Sequence, residues 1–456
     1  MQNPSSPNGP ATRREFLKKT ALASAAVAAA PLQRPTVYGQ APSANVTGAN
    51  SRIVVGYIGV GGQGLNAHVR IMQSNATANN IAQAAVCDVW QKRVDKAKSV
   101  IGGDCKGYTD YRQLLEQKDI DAVVIATHDP IHAPASIAAL EAGKHVYCEK
   151  PLTRYLDEAF AVRDAVKKSG KILQVGSQGC SAKGWHKAAE LIKAGRIGTP
   201  VWAQGYYCRN NSRGEWNYPI DADAKADSMN WDAWLGGVKK RVPFTPEHYF
   251  RWRKFFPYCA GLLGDLVPHR LFPLVVATGN PEFPKRVVCV GTKNVHPDTK
   301  ADGGALERDV AEHVEIIAEY PSGLSMVIGA STIAAKSPGF VIYGHHASLE
   351  IGTSGERVSL IPEKEFGDEV DPEQFDGLQP TEDIGAHHAN WFDCIRTGKQ
   401  PNANIDLATK VQTVISLAEM SDRLGAACLF DEKTRKITTV GGQELKPLTY
   451  GTLEQS

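Results

Sequence analysis

From Ser51 onward the chain alternates short apolar, β-branched runs with stretches of helical period. Runs over 52–58, 81–87, 122–126 and 145–148 read as strands, and 65–73, 111–117 and 133–142 read as helices. Nearly continuous apolar strands alternating with helices require a parallel sheet covered on both faces. In such sheets ligands lie beyond the carboxyl ends of the strands. From residue 179 the rhythm changes. A helix over 185–194 is stopped by Gly195, and strands follow over 199–207, 287–293, 313–320, 324–330, 340–343, 347–351 and 357–361. Turn residues separate them, which suits a large, mainly antiparallel open sheet with helices on one face. Helices over 386–397 and 407–424 close the pattern, and no internal repeat is present.

With 456 residues the chain exceeds one ordinary core. The net charge of +2 offers no concentrated basic face, which excludes nucleic acid as a partner. Beyond residue 50 no run of roughly 18 apolar residues occurs, so no stable membrane insertion is expected. The nine cysteines are scattered singly with no CxxC pair, so neither a disulfide framework nor a zinc knuckle is expected. The N-terminus adds an address. Thr12-Arg13-Arg14-Glu15-Phe16-Leu17-Lys18 fits the twin-arginine export pattern, and an Ala-rich stretch over 20–30 follows it. The expected partner is the twin-arginine machinery, and the expected location is the bacterial periplasm. That route moves folded proteins and suits a protein that loads a cofactor before export.

The strand over 52–58 runs directly into Gly59-Val60-Gly61-Gly62-Gln63-Gly64 and then into a helix. Strand, G-x-G-x-x-G and helix together define a dinucleotide-binding turn. Gly59 permits the tight turn, Gly61 lets backbone approach a pyrophosphate, and Gly64 lets helix and strand pack closely; Val60 and Gln63 share the loop. The phosphates would meet the open N–H groups of the helix N-terminus. Asp88 ends the second strand, where an acid accepts hydrogen bonds from ribose and repels a 2′-phosphate, favouring NAD. Lys92 and Arg93 nearby keep NADP open. Thr127, His128, Glu149, Lys150 and Pro151 follow other strands directly, where ligands would lie.

Ala126-Thr127, His132-Ala133-Pro134, and Gly143-Lys144-His145-Val146-Tyr147-Cys148-Glu149-Lys150-Pro151-Leu152 resemble the Gfo/Idh/MocA oxidoreductase family. That family includes glucose–fructose oxidoreductase and inositol dehydrogenase. The resemblance continues through Leu173-Gln174-Val175-Gly176-Ser177-Gln178, Trp252-Arg253, and Gly261 to His269, and spans 51–425. It implies an α/β fold: a signal peptide (1–30), a linker (31–50), an NAD(P)-binding Rossmann domain (51–178), a substrate-binding and oligomerisation domain (179–427) and a C-terminal extension (428–456). It also implies roles. Lys150 would stand between nicotinamide and the reacting carbon, holding the substrate hydroxyl. His269 would accept the hydroxyl proton while hydride leaves carbon. Asp265 would orient the imidazole or hold a neighbouring hydroxyl, with both on one face of a helix over 262–276. Thr127, His132, Glu149, Gln178, Trp252 and Arg253 would lie along the cofactor. A sugar or polyol substrate and a homodimer or homotetramer are implied as well. The chain departs from the family at Cys180, at Val267-Pro268, and in a long insert over 206–249 rich in Trp, Tyr, Asn and Arg, residues suited to sugar rings and to lids.

An exported enzyme of this kind must keep its cofactor and regenerate it in place. Two schemes meet that condition: hydride passed from one sugar to another, or a redox-neutral, NAD-dependent glycosidase or lyase reaction through a keto-sugar. A non-catalytic sensor would have no use for a proton acceptor, and no G-x-S-x-G elbow supports a serine hydrolase. Two histidine doublets raise the question of metal. His345-His346 would point to opposite faces of a strand, and Gly385 suggests a turn between Asp383 and His387-His388. No metal is expected, though His387 or His388 could reach the substrate pocket.

Overall fold

The structure, a computed structural model, describes residues 51–296, 307–380 and 383–453. The expected signal peptide and linker lie outside the described residues. The first sheet holds β1 (Ile53–Ile58), β2 (Ile81–Cys87), β3 (Lys106–Tyr108), β4 (Ala122–Ile125), β5 (His145–Glu149) and β6 (Leu173–Gly176), in the order β3-β2-β1-β4-β5-β6. Every pairing is parallel. This is the doubly wound Rossmann order, whose direction reverses between β1 and β4 and opens a crevice there. β4 is buried at every residue, as an apolar strand covered on both faces must be. The helix after β1 opens with a π-helical segment, Gly64–Val69, before Arg70–Ser74. A side chain at Gly64 would put its Cβ 2.0 Å from the Gly59 carbonyl oxygen, so the turn closes only with glycine there.

The second sheet has eleven strands: β7 (Pro200–Cys208), β8 (Arg286–Thr292), β9 (His313–Glu319), β10 (Ser325–Ser331), β11 (Phe340–Gly344), β12 (Ala347–Ile351), β13 (Val358–Pro362), β14 (Glu373–Phe375), β15 (Cys428–Phe430), β16 (Ile437–Thr438) and β17 (Glu444–Leu445). Among the described residues only β7 and β10 pair parallel; the other neighbours run antiparallel. β8 alternates, with Val287 and Cys289 inward and Val288 and Val290 outward. The inner face is covered by a largely buried helix, Ile405–Leu424, and one face stays open.

Two expectations are corrected here. The doublet His345-His346 occupies the tight turn between β11 and β12, and both rings pack on Phe366, at 5.0 and 4.2 Å between centroids. They therefore share a side. Gly385 makes no turn either. It lies in the first turn of the helix Ile384–Thr397, whose N-cap Asp383 accepts from the Ala386 N–H at 2.8 Å. That helix, far along in sequence, puts Trp391, Phe392 and Cys394 into the core beside Tyr57, Val69 and Tyr147 of the Rossmann half.

Candidate active site

Beyond the carboxyl ends of the first sheet lies a cavity of about 1010 Å³. Gly59, Gly61, Gln63, Asp88, Thr127, Glu149, Lys150, Gln178, Trp252, Arg253, Asp265 and His269 all line it. Val60, Gly64 and His132 do not. Val60 contributes its N–H, which donates to Asp88 Oδ2 at 3.0 Å and so steadies that carboxylate at the tip of β2. The Trp90 N–H donates to Asp88 Oδ1 at 3.1 Å. His132 is buried behind the wall, with Nδ1 2.8 Å from the Pro151 carbonyl oxygen and Nε2 3.2 Å from that of Thr127. It braces two cavity-lining turns instead of facing a ligand.

At the other end Lys150 Nζ donates to Asp265 Oδ1 at 2.6 Å and to its backbone carbonyl at 2.8 Å. Trp216 Nε1 donates to Asp265 Oδ2 at 2.9 Å, and Arg253 Nε lies 3.2 Å from Oδ1. Asp265 thus organises Lys150, Arg253 and Trp216. Burial alone would raise its pKa, but the charges of Lys150 and Arg253 hold it well below the usual carboxylate range. The single helix expected over 262–276 is two: Leu262–Asp265 and Pro268–Ala277. Pro268 has no N–H for the helical ladder, so the chain breaks at Leu266-Val267 and restarts with proline in its first turn. His269 still reaches the cavity. Burial, then the positive charge of Lys150, pushes its pKa down to about 3, so the ring is neutral at physiological pH.

The insert reaches across to the Rossmann half. Met229 pairs with Trp90 in an isolated antiparallel bridge, and the Asn230 N–H donates to the Val89 carbonyl at 3.0 Å. Trp234 stacks on His128 with ring centroids 4.0 Å apart and planes 5° from parallel. Lys92 pairs with Asp221 and Asp223 of the insert, at 2.7 and 2.6 Å, which commits its charge there. Arg93 lies under Tyr249, 4.8 Å from the ring centroid, and within 3.0 Å of where a Cβ on Gly61 would stand. His387 and His388 are buried and line no part of the cavity; His387 faces Ser181 Oγ at 2.6 Å and His388 faces His68 at 3.0 Å. Sequence reasoning also missed Asp129, Trp216, Trp234 and His68. Only Asp129, in the first turn of the helix that follows β4, carried a positional signal.

These features suit a dinucleotide. The turn leaves open space where a Gly62 side chain would go, and an acid ends β2 at the cavity edge. One cavity continuous from a glycine turn to a Lys–Asp–His cluster defines a nicotinamide-dependent oxidoreductase. Residues 53–177 match the Gfo/Idh/MocA model, an oxidoreductase family with an NAD-binding Rossmann fold. That match covers the Rossmann half of the chain. Inositol 2-dehydrogenase of Salmonella typhimurium is 27% identical over 258 residues, 55% of this chain and 72% of that protein. Inositol 2-dehydrogenase 3 of Saccharopolyspora erythraea is 36% identical over 151 residues, 33% of this chain and 43% of that protein. Among solved structures, levoglucosan dehydrogenase with NADH and levoglucosan has a TM-score of 0.64 at 20% identity, covering 82% of this chain and 98% of its own. The aldose-aldose oxidoreductase of Caulobacter crescentus has a TM-score of 0.62 at 18% identity, covering 83% of this chain and 100% of its own.

Proposed function

We propose that this NAD-binding oxidoreductase moves hydride to or from a secondary hydroxyl of a sugar, polyol or glycoside, and keeps its cofactor between turnovers. The observation that carries the reading is the Lys150–Asp265–His269 cluster in the same cavity as the glycine turn. The names of its relatives, inositol and levoglucosan dehydrogenases, support the substrate class. When bound, the cofactor supplies the hydride acceptor or donor. The protein's own residues do the rest. Lys150, held by Asp265, presents an ammonium to the reacting oxygen, and neutral His269 takes the hydroxyl proton. Retention of the cofactor rests on the insert, whose residues around Met229 and Trp234 cover the Rossmann crevice. It accords with export of a loaded protein through the signal at 1–30. A retained cofactor must return its hydride, to a second sugar or to the same molecule after elimination, so the redox-neutral scheme belongs to the same proposal. We further propose that the open face of the second sheet packs against another copy of the chain.

The test is purification without added nucleotide, denaturation, and identification of what is released. Stoichiometric NAD(H) supports retention; an empty protein that needs added NAD refutes it. Lys150→Ala and His269→Ala are each expected to lower turnover by at least a hundredfold while nucleotide remains bound. Near-normal rates in both variants would sink the assignment.

A further inference from the structure

Glu149, the last residue of β5, is buried yet lines the cavity. Its Oε1 accepts from His68 Nε2 at 2.9 Å and from Gln63 Nε2 at 3.2 Å, and its Oε2 accepts from the Lys150 N–H at 3.1 Å. One carboxylate therefore joins the glycine turn, the helix after it and the backbone of Lys150. Room for it comes from Gly176, where a Cβ would stand 2.9 Å from the Glu149 carboxyl carbon. His68, fully buried, places Nδ1 3.0 Å from Nε2 of His388, also buried, on the helix Ile384–Thr397.

Hydrogen-bond accounting sets the direction of this chain. His388 Nδ1 is buried with no partner. If Glu149 is ionised, His68 Nε2–H donates to it, His388 Nε2–H donates to His68 Nδ1, and His388 Nδ1 is left as a bare lone pair. If Glu149 were protonated, the same distances would reverse every donor and strand an N–H at His388 Nδ1 in the core. A stranded buried donor costs more than an unused lone pair. His387 takes no part, being engaged by Ser181 Oγ and the Val175 carbonyl. The electrostatics agree: burial alone would raise Glu149, but His68, Lys150 and Gln63 together bring it down to about 2.

We propose that His68 and His388 are positioning residues that hold Glu149 as an anion, and that this buried charge makes the site favour oxidised, cationic nicotinamide over the neutral reduced form. A fixed charge in a low-dielectric wall acts strongly on the one ligand form that is itself charged. Bound NADH is thereby made the better hydride donor. The inference rests on the cavity taking a nicotinamide dinucleotide.

The experiment measures dissociation constants for NAD and for NADH on the nucleotide-freed full chain, in wild type, Glu149→Gln and His388→Leu. Glu149→Gln keeps the shape and removes the charge, and its Kd(NADH)/Kd(NAD) ratio is expected to fall at least fivefold. His388→Leu should shift the ratio the same way by less, with both nucleotides still bound. An unchanged ratio in both variants overturns the proposal. Absence of binding by either nucleotide to wild type would overturn the dinucleotide reading itself, a different result.

Discussion

His269 and Asp129 line the same cavity and are driven in opposite directions by the same burial. Burial and the Lys150 charge lower His269 to about 3, so its ring is expected to stay neutral from pH 8 down to pH 5. Ring-carbon nuclear magnetic resonance shifts would show this directly, and a titration midpoint near 6.5 would refute it. Burial raises Asp129 to about 7 against the charges of Arg253 and Arg154, and its Oδ2 has no hydrogen-bond partner. Because the folded pKa lies above the ordinary one, the shift stabilises the fold only in acid, and that contribution is lost as pH rises through 7. Asp129→Asn should therefore raise Tm at pH 8.5, by an amount equivalent to about 4 kcal/mol at most, with the gain vanishing below about pH 4. Equal gains at both pH values would show that the carboxyl is not held protonated. Lys150, Asp265 and His269 could be picked out in the sequence because they fall in compact motifs. Trp216 and His68 could not, since what makes them matter is a partner 49 and 81 residues away, Asp265 and Glu149 respectively.

At the scale of elements, the loop after β5 is anchored by one ion pair. Arg154 Nη1 and Nη2 each lie 2.7 Å from a Glu419 oxygen on the helix Ile405–Leu424, with both side chains almost wholly buried. Arg154 also donates to the Phe256 carbonyl, with Nε at 3.0 Å and Nη2 at 2.6 Å. Glu419 also accepts from Arg423 Nη1 at 3.0 Å, so breaking the pair from one side leaves a buried carboxylate with one of its two cations. Arg154→Met is expected to cost about 3–5 kcal/mol in chemical denaturation, and adding Glu419→Leu should recover much of it. A double variant no better than the single would mean that the Phe256 contact, or Arg423 left without its carboxylate, carries the effect. Whereas β6 and β14 to β17 are too short to carry a pattern, β1, β2, β4, β5 and β7 to β13 were readable because apolar runs and alternation are local signals. β3 was not, because Lys-Gly-Tyr is half exposed and has no apolar run to betray it. Nor could the pattern reveal that the helix Ile384–Thr397 would join the Rossmann core, since periodicity marks a face to be buried without naming what buries it.

Over the whole molecule, two surfaces decide what the fold can hold and what it can join. The insert covers the crevice, and Trp234 is its best single contact, stacked on His128 and 6% exposed. Trp234→Ala should release bound nucleotide at least tenfold faster than wild type on gel filtration, and an unchanged rate would move retention elsewhere. The open face of the second sheet poses the other question. Across β8, β9, β10, β7 and β11 the register sets Val288, Ile317, Val327, Gln204 and Val341 in one row. Beside it Trp202 stacks on Tyr343 at 4.0 Å, while Val290 and Ile317 are 61% and 54% exposed. A row of this kind on an isolated chain leaves aliphatic surface in water that a second sheet would cover. The twofold arrangement that closes such a contact puts the same row on both partners. A single charge in it, as in Ile317→Glu, is therefore met by its own copy and doubled in cost. Light scattering is expected to give a multiple of 49.3 kDa for the wild type and a smaller species for Ile317→Glu, with nucleotide content unchanged. A wild-type monomer would leave the face exposed and defeat the proposal of self-association.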